Sequence, residues 1–259
     1  MFVKTRPHFV KDIMVETVNG ILSIDMHPKV THLDINYKGL LAAGTEHGDV
    51  IVYDTVEKAY LQKLDSKPSY VVWKEHTDNC HMLKWNKHGT RILTASFDGT
   101  AKIWEWNMYL PNNRDKRSAV TLNYKDREHG GRLTGELKCW AITWSFQGTY
   151  AIAAFCRRLR RKGDSEKNYP QLQIYDCVQN ELITVIDSQN FSMISTLNLD
   201  GILKMESPHC LLDAHPLEER IVMSADNDGQ IVVWDILTSE ILKVFYERGF
   251  HMRLPNLEM

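Results

Sequence analysis

Four residues in the middle of the chain, His76, Ser96, Asp98 and Trp104, have side chains whose types could do chemistry together. A neutral imidazole donates from one ring nitrogen and accepts at the other, a carboxylate accepts, a hydroxyl does both, and an indole N–H only donates. Ser, His and Asp are also the set of a hydrolytic triad. The local sequence speaks against that use. Ser96 ends the strand-like run Arg91-Ile-Leu-Thr-Ala-Ser and lacks the Gly-x-Ser-x-Gly elbow that presents a nucleophile. The expected role is a structural tetrad, in which the four groups satisfy one another's hydrogen bonds in a poorly solvated interior.

Other chemistries find less support. His76 with His81, and His209 with His215, are near in sequence but lack a metal-site spacing with a supporting carboxylate. Asp226 and Asp228 sit in an Asp-Asn-Asp-Gly segment without the twelve-residue ligand pattern of a calcium loop, so a hairpin turn is expected there. No Gly-rich phosphate cradle occurs. The expectation is a non-enzyme with no metal and no cofactor. The five cysteines, Cys80, Cys139, Cys156, Cys177 and Cys210, form no Cys-x-x-Cys pair and are odd in number. A reducing compartment fits them better than a disulfide framework. A formal charge of −2 argues against capture of nucleic acid by the whole domain but leaves local patches open. No run is apolar and long enough to span a bilayer, and MFVKTRPHFVKD lacks the core of a secretory signal. A nuclear or cytoplasmic location is expected.

The elements that must position the tetrad are short strands. From Glu75 to Trp106, three runs rich in β-branched and aromatic residues are separated by Asn-Lys-His-Gly and by Phe-Asp-Gly-Thr. Asp and Asn tolerate left-handed backbone and Gly adopts it without a Cβ penalty, so both separators are turns. A His, a strand, a turn, a strand, Asp-Gly and a strand ending in Trp is the pattern of one WD-type propeller blade. The unit recurs. An earlier copy runs from Thr31 to Tyr53-Asp54, with Lys58 to Leu64 as its expected outer strand. In the second copy that strand is Arg117 to Tyr124. A third copy runs from Cys139 to Tyr175-Asp176, with outer strand Glu181 to Asp187, and a fourth from Cys210 to Trp234-Asp235, with outer strand Glu240 to Tyr246. The expected boundaries are an N-terminal strand and linker over 1–26, blades at about 27–70, 71–124, 137–188 and 203–247, and a tail over 248–259. The tetrad is degenerate outside the second copy. His47 and Tyr169 take the turn-Asp place in the first and third, and the fourth keeps Asp228 and Trp234 without a clear partner His.

The predicted fold class is therefore all-β, a WD-repeat β-propeller of about four blades. One blade cannot bury both faces of its sheet, and rings of about 4–8 blades solve this by closure. Two arrangements follow. Either these blades are half of a larger ring, completed by another polypeptide or a further portion, or they form a small ring.

Glu75-His-Thr-Asp with Ala95-Ser-Phe-Asp-Gly-Thr-Ala-Lys-Ile-Trp, Ala141-Ile-Thr-Trp, and Asp213-Ala-His-Pro-Leu-Glu-Glu-Arg-Ile-Val-Met-Ser-Ala-Asp-Asn-Asp-Gly-Gln-Ile-Val-Val-Trp-Asp carry a resemblance. Over roughly His27 to Tyr246 the chain resembles the WD-repeat region of the bromodomain- and WD-repeat-containing / PH-interacting protein family. The resemblance implies the C-terminal half of an eight-bladed propeller and a nuclear, chromatin-associated scaffold for transcription regulation, with histones or other chromatin proteins as partners. Relatives are also linked to a cullin-type ubiquitin ligase through a Trp-Asp-x-Arg element. Here that element reads Trp234-Asp235-Ile236-Leu237, with Leu in the Arg place.

The remaining candidate is basic. Arg157, Arg158, Arg160, Arg161 and Lys162 lie in CRRLRRKGDSEKNYP, which replaces the short turn of the third copy. Lys125, Arg127 and Arg132 lie in the loop leading into that copy. Loops at both places emerge on one propeller face. The expected ligands are nucleic-acid phosphate, an acidic protein segment or an import receptor, set against a simply solvated loop. Asp164 and Glu166 dilute the charge, and Tyr169 is the one aromatic interleaved with it.

Overall fold

A computed structural model describes residues 3–4, 12–17, 20–25, 29–54, 70–106, 118–124, 135–159, 167–187, 209–226 and 230–246. Four of its sheets are four-stranded antiparallel meanders in which each strand pairs with its neighbour in sequence. The first blade consists of β4 (Val30–Ile35), β5 (Leu40–Thr45), β6 (Asp49–Asp54) and β7 (Tyr70–Lys74). β8 (Cys80–Trp85), β9 (Arg91–Ser96), β10 (Thr100–Glu105) and β11 (Val120–Asn123) form the second. The third comprises β12 (Gly135–Trp144), β13 (Tyr150–Leu159), β14 (Lys167–Asp176) and β15 (Glu181–Asp187). The fourth comprises β16 (His209–Ala214), β17 (Ile221–Asp226), β18 (Gln230–Asp235) and β19 (Glu240–Tyr246). Ahead of them, β1 (Val3–Lys4), β2 (Asp12–Thr17) and β3 (Gly20–Asp25) make a three-stranded sheet.

Three of these elements differ from the sequence expectation. The N-terminal stretch holds three strands rather than one and a linker. Thr17 pairs with Gly20, so only two residues separate β2 from β3. The outer strand of the first blade is Tyr70–Lys74, paired through Val50↔Trp73 and Ile51↔Val72, and residues 58–64 lie outside the described part. Burial decides this choice, since Trp73 is sealed against the next blade. In the third blade, β13 and β14 continue far into the basic insertion, with Arg157 paired to Tyr169 and Arg158 to Asn168. Much of the expected loop is therefore an extended hairpin.

The blades stack side by side through the alternation of each strand. Leu40, Ala42, Val50, Val52 and Trp73 of the first blade meet Leu83, Ile92 and Trp104 of the second. Leu93, Ala95, Ala101 and Ile103 on the opposite side of the second blade meet Ala151, Ala153, Phe155 and Tyr175 of the third. Ile152, Ala154, Leu172 and Ile174 of the third meet Val222, Val232 and Trp234 of the fourth. Each seam thus joins the trailing face of one blade to a leading face that carries the next closing aromatic. Trp73 stacks on Trp104 across the first seam, with centroids 4.9 Å apart and planes at 8°. Packing runs from β4 to β8, β12 and β16 in succession, and among the described residues no comparable packing joins β16 back to β4. As far as the described residues go, the four blades form an open arc.

Candidate functional site

β9 and β10 place the central tetrad, and the turn between them closes it. His76 Nδ1 lies 2.9 Å from Asp98 Oδ2, and His76 Nε2 lies 2.8 Å from Thr94 Oγ1. Trp104 Nε1 donates to the same Thr94 oxygen at 3.0 Å. Asp98 only accepts, so the network assigns the proton of the neutral ring to Nδ1. Nε2 then accepts the Thr94 hydroxyl, whose oxygen receives the indole proton. The chain of donors runs one way, from Trp104 through Thr94 and His76 to Asp98.

The hydroxyl of this chain belongs to Thr94, which the sequence reading passed over in favour of Ser96. Ser96 Oγ donates to the backbone oxygen of Asp78 at 2.9 Å and receives Asp98 N–H at 3.0 Å. It braces the turn and is not bonded to the imidazole, so the three triad residue types are not arranged as nucleophile and base. The missed signal was position along β9, because Thr94 and Ser96 share one face of that strand. Thr94 and Trp104 share the leading face of the blade, and Ser96 lies two residues further along β9, at the turn.

Asp98 gathers further donors. Thr77 N–H reaches Oδ2 at 3.1 Å, and Thr100 bonds Oδ1 through its N–H at 2.9 Å and its hydroxyl at 2.7 Å. Burial works to raise its pKa, but the bonds from His76 and Thr100 outweigh burial and hold the carboxyl well below the usual carboxylate range.

Register places the counterparts in the other blades. Trp104 pairs with Ile92, Tyr53 with Leu41, Tyr175 with Ala151 and Trp234 with Val222. The Thr94 place is therefore Ala43, Ala153 and Ser224 in the first, third and fourth blades. Trp234 Nε1 donates to Ser224 Oγ at 2.8 Å. The two blades that close in Trp supply a hydroxyl for the indole N–H, and the two that close in Tyr carry Ala.

The opposite ends of the blades are tied by a second repeated device. Asn86 Oδ1 accepts Thr90 N–H and Arg91 N–H, and Asn36 Oδ1 accepts Lys38 N–H and Leu40 N–H. In the third blade Ser145 Oγ accepts Tyr150 N–H, and in the fourth His215 Nδ1 accepts Leu217 N–H and Glu218 N–H. Glu219 reaches across the last seam to Ser145 Oγ, Gln147 N–H and Thr149 N–H. His215 is thus a turn cap. Among the described residues no grouping of three His, Cys, Asp or Glu could hold a metal ion.

The basic candidates are only partly placed. Arg157 and Arg158 sit in β13, flanked by β12 and β14, rather than in a loop. Lys125, Arg127, Arg132, Arg160, Arg161 and Lys162 lie outside the described residues.

The surface that stands out instead is the trailing face of the fourth blade. Leu211 is 62% exposed, Met223 39%, Ile231 40% and Phe245 43%. Leu211 pairs with Ala225, Ala225 with Ile231 and Ile231 with Phe245, so these apolar residues form a row across all four strands. The corresponding faces of the other three blades are buried in seams. At the other end of the arc, Leu41, Ala43, Ile51 and Tyr53 on the leading face of the first blade are also buried.

With this geometry in place, comparison with known proteins is specific at one blade. The WD domain, G-beta repeat family matches residues 67–105. The matched stretch takes in β7 of the first blade and β8, β9 and β10 of the second. A bromodomain and WD repeat-containing protein of Dictyostelium discoideum is 25% identical over 189 residues, covering 65% of this chain and 8% of that protein. The Denticleless protein homolog of Gallus gallus is 40% identical over 70 residues, covering 27% of this chain and 9% of that protein. The chain spans less than a tenth of the length of either relative. Among solved structures, a chain of the mitotic checkpoint complex superposes with a TM-score of 0.58 at 13% identity, covering 91% of this chain and 58% of that one. A chain of the COPII outer coat vertex on membranes gives 0.61 at 16%, covering 92% and 56%. These likenesses show the fold, an all-β WD-type propeller arrangement.

Proposed function

We propose that this chain is a non-catalytic WD-repeat scaffold in a nuclear assembly that regulates chromatin and transcription, acting as part of a larger propeller. The open trailing face of the fourth blade carries the scaffold reading. An apolar row spanning a whole sheet is an interaction surface by its chemistry. The solved structures that share the fold come from a checkpoint complex and a vesicle coat, both multi-chain assemblies by their descriptions. The chromatin setting draws support from the bromodomain and WD repeat-containing relative. The proposed partners are blades or chains that continue the arc, together with chromatin proteins such as histones.

The likeness to the Denticleless protein homolog shows that part of the sequence is shared beyond the bromodomain and WD repeat-containing relative. It favours a second reading, a general WD scaffold in a cytoplasmic, RNA-processing or ubiquitin-ligase complex. Native mass measurement of the affinity-purified chain, with identification of co-purifying proteins, separates the two. Chromatin proteins in the complex support the first, and their replacement by ligase or RNA-processing subunits supports the second. A stable, closed, monomeric ring would sink the part-propeller arrangement. Ile231→Asp and Phe245→Asp should release the blade partner while circular dichroism stays unchanged.

A further inference from the structure

Every blade has the same irregularity in its innermost strand. Register shifts fall between Val30 and His32 in β4, Cys80 and Met82 in β8, Cys139 and Ala141 in β12, and His209 and Leu211 in β16. The extra residues are Thr31, His81, Trp140 and Cys210. A bulge re-aims its residue out of the normal alternation, so one residue per blade leaves the pattern at the same level of the propeller. Thr31 donates to the backbone oxygen of Cys80 in the next innermost strand. His81 makes the matching reach, with Nε2 3.0 Å from the backbone oxygen of Trp140.

At the seam of the second and third blades these bulge residues join Phe97. The His81 ring stacks on Phe97 with centroids 4.3 Å apart and planes at 21°, and Trp140 tilts against Phe97 at 60° with centroids 5.8 Å apart. All three side chains are half-buried. Phe97 and Trp140 form two walls of an angle, and a cation lies against both. Lys138 Nζ is 4.7 Å from the Phe97 ring centroid and 5.6 Å from that of Trp140. The tetrad fixes the Phe97 wall. Phe97 follows Ser96 and precedes Asp98, and its own N–H bonds the Asn79 oxygen at 3.0 Å.

We propose that the angle between Phe97 and Trp140, backed by His81, is a receptor site for a methylated lysine side chain on a peptide, with Lys138 as its internal placeholder. Aromatic faces attract cations through the ring quadrupole, and quaternary ammonium groups suit such walls best. The resident lysine shows that the site already holds an ammonium. It also selects the ligand. An ordinary lysine arriving from outside must displace an identical group that is tethered two residues from Trp140 and so has a high effective concentration. A trimethyl-lysine carries the same charge with weaker hydration and more apolar surface, so it gains where a plain lysine does not. This site is independent of the blade partner proposed above.

The test is fluorescence anisotropy on the full chain with three labelled peptides of one sequence. They carry trimethyl-lysine, unmodified lysine, or the neutral carbon isostere of trimethyl-lysine. The expected order is binding of the trimethyl peptide alone, a severalfold tightening with Lys138→Met, retention with Phe97→Tyr, and loss with Phe97→Leu. Thermal melting of each variant separates loss of the site from loss of fold. Equal binding of the neutral isostere would overturn the proposal by showing simple apolar docking. Failure of both the wild type and Lys138→Met to bind the trimethyl peptide would overturn it outright.

Discussion

The Trp104–Thr94–His76–Asp98 chain makes sense of single residues through donor and acceptor counts. Thr94→Val keeps shape but removes the acceptor of the indole and the donor to the imidazole. Its expected cost in urea unfolding is about 1–3 kcal/mol for each buried group left unpaired. Ser96→Ala removes a turn brace and should cost about 1 kcal/mol. A larger loss for Ser96→Ala than for Thr94→Val would return the tetrad place to Ser96. Asp98 adds a pH signature. Its folded carboxyl titrates below its unfolded value, so its contribution is fully present above the unfolded pKa, about 4, and is lost as pH falls through the lower folded pKa. The stability gap between wild type and Asp98→Asn should be widest near neutral pH and narrow below about pH 4. A gap that stays constant into acid would show that the carboxylate charge is not what stabilises the turn. The thiols are quiet by contrast. Burial pushes Cys80 and Cys139 up well above the ordinary thiol range and Cys177 up to about 11, so their thiolate fraction at neutral pH is small.

At the scale of elements, the seams are set by close approach. Gly44 in β5 leaves room for β8, since a Cβ there would sit 2.5 Å from the Cys80 backbone oxygen. Gly99 has φ of +85°, and a Cβ would meet Leu137 at 2.8 Å on the third blade. Gly44→Ala must push two blades apart against backbone, an overpacking cost of about 1–3 kcal/mol in equilibrium unfolding. Gly99→Ala adds left-handed backbone strain of about 1–3 kcal/mol, while flexible Leu137 gives way more easily. An unchanged melting curve for Gly44→Ala would mean the first seam has slack. Trp73 tests the same seam from the apolar side. Trp73→Ala empties the stack on Trp104 and should cost about 3–5 kcal/mol.

For the whole molecule, the arc is a one-dimensional array in which each blade is stabilised by its neighbours. The second and third blades have two covered faces, and the fourth has one. Backbone amides of β18 should therefore exchange faster than those of β10 and β14 in hydrogen-exchange mass spectrometry, because fewer apolar contacts must break to open them. Binding of a partner to the Leu211–Ile231–Phe245 face should slow β18 selectively. Uniform protection across the blades in the isolated chain would show that the fourth blade is already capped.

The sequence by itself determined the repeating unit. Period-two runs, Gly turns and closing aromatics are local features, and they located the middle strands of all four blades. Local pattern could not choose the outer strand of the first blade, because both candidates suit a strand; contact of Trp73 with Trp104 decided it. Nor could composition distinguish Thr94 from Ser96, since both offer a hydroxyl on the same face of β9; the register with β10 sets Thr94 beside the Trp104 indole and leaves Ser96 at the turn. The bulges that turn out His81 and Trp140, the lysine held over Phe97, and the uncovered face of the fourth blade involve residues distant in sequence or an absence of packing. Tertiary structure alone brings such groups together or leaves them open.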